Sequence, residues 1–154
     1  MIQRIQTVYL LVAEILIGAL YFVPFAEIAG KKGSIYRFDI NGIYIEGVQK
    51  QEIIYSGLPL LLLWVVSLIL ILGSIFLFKN RILQMRISKI NIFLLLGLCG
   101  LIFYSAWSCA RILMAVYSLT IYLVFPIIAA ILIYMAYKAI AKDELLVRSI
   151  DRIR

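Results

Sequence analysis

No histidine occurs in the 154 residues, and only two cysteines and three prolines do. The first absence removes the commonest metal ligand and the side chain most often used as a general base near neutral pH. Two cysteines cannot supply a thiolate-rich zinc site or a disulfide framework. Charge is also scarce: 15% of residues are charged and 65% are apolar, with a mean hydropathy of +1.07. A soluble domain carries roughly 25% charged residues. The composition therefore excludes an ordinary soluble globule and points to an integral membrane protein.

About 20 apolar residues are needed for a helix to cross a bilayer core, and four stretches qualify. They run from Ile5 to Phe25, interrupted by Glu14, from Leu58 to Phe78, from Ile92 to Ala110, and from Ser118 to Tyr137. Lipid offers the backbone no hydrogen-bond partners, so each is read as a helix. The expected fold is all-α and transmembrane: one four-helix bundle over residues 1–154, with an outer loop at 26–57 and a tail at 138–154. The first stretch is too long for a signal peptide and lacks a small-residue cleavage site, so it is read as a retained helix.

Ten of the fifteen cations fall on one side of these spans: Arg4, Lys79, Arg81, Arg86, Lys89, Lys138, Lys142, Arg148, Arg152 and Arg154. The other side holds Lys31, Lys32, Arg37, Lys50 and Arg111. The positive-inside rule then places both termini in the cytoplasm. The net charge of +7 lies mostly on that face, where anionic lipid headgroups attract it. Cations that hug the membrane edge argue against a nucleic-acid partner.

In the outer loop, SIYRFDINGIYIEG alternates around Asn41-Gly42, a dipeptide suited to a two-residue hairpin turn. That turn would pair Ile40 with Ile43, Asp39 with Tyr44, Phe38 with Ile45, and Arg37 with Glu46. Phe38, Ile40, Ile43 and Ile45 then share one face. A lone hairpin is marginal in water, so the apolar face is expected to rest on the helix ends or on a partner.

Glu14 is the one acid within a span, near the midplane, where an ionised carboxylate costs several kcal/mol. Thr7, Gly18 and Tyr21 share its helix face, which is read as facing the bundle. Ser67 on the second span and Tyr104 or Ser105 on the third stand at depths that allow a hydrogen bond to it; Arg111 lies too far out. A structural bond between helices and a proton- or ligand-binding role both remain open. On the third span Gly97, Gly100, Tyr104 and Ser108 form a stripe read as a close-packing seam. Cys99 and Cys109 stand about 15 Å apart on one helix, too far to bridge, and are read as packing residues.

The basic connection KNRILQMRISK is expected to prolong the second helix. The tail KAIAKDELLVRSIDRIR reads as a continuation of the fourth, with Leu146, Val147, Ile150 and Ile153 as an apolar stripe and Glu144–Arg148 as a favourable i,i+4 pair. Such a helix suits the lipid surface, a protein partner, or simple extension of the bundle.

The start MIQRIQTVYLLVA, the middle FKNRILQMR and the end AIAKDELLVRSIDRIR together resemble an uncharacterised family of small four-span inner-membrane proteins of Bacteroidota, labelled only as a domain of unknown function. The matching residues are Gln3, Arg4 and Gln6; Lys79, Asn80, Arg81, Gln84 and Arg86; and Asp143, Glu144, Arg148, Asp151 and Arg152. The resemblance implies a shared interaction on the cytoplasmic face and brings no known catalytic residue, cofactor or substrate. No Ser-His-Asp set, zinc-protease motif or paired intramembrane carboxylate supports an enzyme. The expected role is a non-enzymatic accessory or scaffolding subunit with an unidentified membrane or cytosolic protein partner. The alternative is a small carrier or lipid-binding protein acting as an oligomer.

Overall fold

Each of the four apolar runs holds a long helix. The computed structural model describes residues 3–30, 34–45, 55–78 and 80–151, excepting the side chains of 3, 4, 55 and 148–151. Helix α1 spans Gln3–Ala19 and tightens into a 3-10 turn at Leu20–Phe22; α2 spans Leu58–Phe76, α3 Arg81–Ile112 and α4 Val124–Asp151. Each helix, with its flanking 3-10 turn where present, is long and apolar enough to cross a membrane. Helices α1 and α3 each pack on both α2 and α4, which closes a four-membered ring.

The core of that ring is narrow. It takes Leu10, Ala13 and Ile17 from α1, Leu60 and Ile71 from α2, Leu95, Leu98 and Ile102 from α3, and Ala129, Ile133 and Ala136 from α4. Large apolar side chains such as Ile15, Leu62, Ile69, Phe93 and Ile131 point outward, as expected where the surroundings are themselves apolar. The small residues of α4 let its backbone approach its neighbours, the usual contact where water supplies no driving force.

At one end the helices carry a five-stranded antiparallel sheet rather than a lone hairpin. Its strands are β1 (Ala26–Ala29), β2 (Ile35–Asp39), β3 (Gly42–Ile45), β4 (Tyr55–Ser56) and β5 (Val116–Leu119), in the order β4-β3-β2-β1-β5. The outer loop thus gains two flanking strands, and the fifth comes from the connection between α3 and α4. Strand β1 alternates, with Ala26 and Ile28 buried beneath exposed Glu27 and Ala29. Strand β5 occupies the expected start of the fourth span, so α4 begins later, at Val124, with Pro126 tolerated in its first turn.

The hairpin register also differs. Tyr36 faces Ile45, Arg37 faces Tyr44, Phe38 faces Ile43 and Asp39 faces Gly42, so Ile40 and Asn41 form the turn. Asp39 Oδ1 accepts the Asn41 N–H at 2.8 Å, and Gly42 takes φ 141°, a conformation that favours glycine. The Asn41 carbonyl accepts the Gly57 N–H at 3.0 Å, tying the turn to the start of α2. Partners move by two residues, so the faces keep their sides: Phe38, Ile40 and Ile43 are buried. The expected Arg37–Glu46 pairing is replaced by Arg37 facing Tyr44, and Glu46 lies outside the described residues.

The basic connection belongs to α3, not to the end of α2. Leu77 N–H donates to the Gly73 carbonyl and Asn80 N–H to that of Leu77, each at 3.0 Å. With Asn80 at the N-cap position, α3 starts at Arg81. The expected glycine seam is corrected as well. Gly97 and Gly100 face outward, and a Cβ on either, or on Gly18, would meet nothing within 4 Å. The buried stripe of α3 is Gln84, Ser88, Asn91, Leu95, Leu98, Ile102 and Ser105.

Candidate functional site

The mid-span candidates do not converge. Glu14 is half-buried on α1, and its Oε2 atom is buried without a hydrogen-bond partner. The buried stripe of α1 is Gln6, Leu10, Ala13 and Ile17, continued by Leu20 in the 3-10 turn. Glu14 therefore stands at the edge of the packed face, with Thr7 and Gly18 partly buried and Tyr21 exposed. The Ser67 hydroxyl donates to the Leu63 carbonyl of its own helix at 2.9 Å. Tyr104 is exposed beside Trp107, while Ser105 is buried. Cys109 is buried, and the half-buried Cys99 Sγ lies 3.7 Å from the Leu123 carbonyl.

A polar seam does run between α2 and α3, through Ser67 and Gln84, both marked in the sequence, and through Ser74, Ser88 and Asn91, which were not. Ser67 and Ser74, seven apart, face Gln84, Ser88 and Asn91. The Asn91 amide donates to the Ser67 carbonyl at 3.4 Å, and the Ser74 and Ser88 hydroxyls meet at 3.5 Å. Asn91 Oδ1 is buried without a partner. The signal was the spacing of polar residues through 84, 88 and 91, which a span beginning at Ile92 had cut off.

The end away from the sheet gathers several of the motif residues. Arg81 Nη1 lies 3.4 Å from Asp143 Oδ2, with both side chains partly buried. This pair links the first turn of α3 to α4. Eight further residues carry α4 about 12 Å past that level, with Leu145, Leu146 and Val147 exposed. A cavity of about 510 Å³ is lined by Asn80, Arg81, Ile82, Leu83, Arg86, Glu144 and Val147. A second cavity, of about 500 Å³, lies among Gln6, Thr7, Val8, Ile75, Phe76, Phe78, Arg81 and Gln84. Arg81 is thus shared by both. Gln6 is 6% exposed and its Nε2 lacks a hydrogen-bond partner. Lys79 and Arg152, and the side chains of Arg4, Arg148 and Asp151, lie outside the described residues. Among the described residues no cluster of three or more His, Cys, Asp or Glu could hold a metal ion.

Residues 2–153 match the family described as a domain of unknown function, DUF4293, and the chain belongs to that family. No curated protein matches it.

Proposed function

We propose that this member of the family is a non-enzymatic accessory or scaffolding subunit of a membrane assembly, seated in a bacterial inner membrane with both termini in the cytoplasm. The observation that carries the reading is Glu14, a carboxyl halfway along an apolar helix and only half-buried by its own chain. A carboxyl at that depth is costly, and its Oε2 finds no hydrogen-bond partner within the chain. A polar group on a neighbouring helix of another subunit would cover and hydrogen-bond it. The cation-rich end away from the sheet supports the orientation, through Arg81, Arg86, Lys89, Lys138 and Lys142.

Native mass spectrometry of the protein, extracted gently from its own membrane without overexpression, tests this. A stoichiometric second protein, lost from Glu14→Leu while the fold persists, is expected. A lone chain, or a homo-oligomer indifferent to Glu14→Leu, overturns it.

A further inference from the structure

We infer that the cavity between the start of α1, the end of α2 and the first turn of α3 binds an anionic phospholipid, its phosphate at Arg81 and an acyl chain along Val8, Ile75, Phe76 and Phe78. Three observations meet there. The volume of about 500 Å³ falls within the roughly 300–1,000 Å³ of small-molecule sites. Its lining combines the two chemistries such a lipid needs, the apolar Val8, Ile75, Phe76 and Phe78 and the polar Gln6, Thr7, Gln84 and Arg81. Phe76, Phe78 and Val8 are exposed, so the apolar part opens onto the surface that the helix presents to its surroundings.

The second observation is the orphaned donor. A buried amide N–H without an acceptor is costly, and Gln6, a residue of the cavity lining, carries one at Nε2. The ester carbonyl or phosphate oxygen of a lipid is an acceptor of the required kind. The third is Arg81. A guanidinium has five N–H donors in a planar fork, and the contact with Asp143 runs through Nη1 alone to one carboxylate oxygen. Donors remain for a phosphate, the oxyanion that this fork suits best. A zwitterionic lipid carries the same phosphate, but its added cation would stand beside Arg81 and is disfavoured. Free phosphate would leave the apolar wall unused.

The test uses the full-length protein in a neutral detergent and dioctanoyl phosphatidylglycerol as the probe, with dioctanoyl phosphatidylcholine and inorganic phosphate as comparators. One phosphatidylglycerol per chain is expected, bound at least several-fold more tightly than phosphatidylcholine and not displaced by millimolar phosphate. Arg81→Gln should weaken it about tenfold or more. Asp143→Asn, which breaks the same ion pair but frees the guanidinium, should leave binding equal or tighter. Ile75→Trp should block the chain. Loss of binding in Asp143→Asn equal to that in Arg81→Gln would make Arg81 merely structural and overturn the site. So would equal affinity for both lipids, or displacement by phosphate, which would assign the pocket to a soluble anion. Where a variant does not fold, the wild type suffices: a phosphatidylglycerol with a photoactivatable acyl chain should label Val8, Ile75, Phe76 or Phe78, and labelling confined elsewhere refutes the assignment.

Discussion

The indole N–H of Trp64 on α2 donates to the carbonyl of Ile17 on α1 at 2.7 Å. Ile17 lies in the last turn of α1, where carbonyls lack partners within the helix, so the bond fills a vacancy that the helix end creates. The same indole stacks on Tyr21, with centroids 5.6 Å apart and planes 28° from parallel. Trp64→Phe keeps an aromatic ring but removes the donor. It should cost about 1–3 kcal/mol, read as a lower unfolding midpoint in detergent. An unchanged midpoint would show that Ile17 finds another donor.

Gly57 is where α2 meets the hairpin turn. A Cβ there would run into the Ile40 carbonyl oxygen and stand 2.7 Å from the Gly42 nitrogen. These are backbone atoms and cannot swing aside. Gly57→Ala should therefore lower stability or expression sharply. Gly97→Ala and Gly100→Ala, with nothing within 4 Å, should raise stability by about 0.5–1 kcal/mol each through helix propensity. Parallel thermal melts of the three variants check the contrast.

Asn91 makes one long hydrogen bond and leaves Oδ1 unpaired in a buried position. If it serves packing alone, Asn91→Leu removes an unsatisfied group at similar volume and should be neutral or stabilising. Stability kept in Asn91→Leu, with loss of a cellular phenotype, would assign the seam a functional role.

The Arg81–Asp143 pair is partly buried and spans two helices. A double-mutant cycle with Arg81→Gln and Asp143→Asn should give a coupling of about 0.5–1 kcal/mol. Hydrogen exchange should quicken in the last turns of α4 when either charge is removed. Coupling near zero would leave the tail held by apolar contacts alone.

Long apolar runs made the helices legible, because their length suits little else. The parity of the hairpin was legible too: a two-residue register shift leaves every side chain on its side, so Phe38 and Ile43 were identifiable as buried before their true pairing was known. Ala26–Ala29 and Val116–Leu119 were not, since short apolar strands beside a span share its composition and pair only with residues distant in sequence. The turn was misplaced by one residue because Asn41-Gly42 is a good local signal, overridden by the Asp39 side chain and by Gly57. At the candidate site, Arg81 and Gln84 were marked by their motif. The orphaned Gln6 amide depends on what three helix ends leave empty, and no single segment records that.

Strands from both loops at one end are bonded into a single sheet, and β1 lies between them. The sheet makes a clasp: α1 and α2 cannot part from α3 and α4 there without breaking β1 from β5. At the far end the two helical pairs are joined by the turn in which Asn80 N–H donates to the Leu77 carbonyl and by the Ser74–Ser88 hydroxyl contact at 3.5 Å, while the contact of Arg81 with Asp143 lies within the α3–α4 pair. Parting the two helical pairs therefore means breaking the sheet at one end and the polar contacts between α2 and α3 at the other, so the bundle is fastened at both ends.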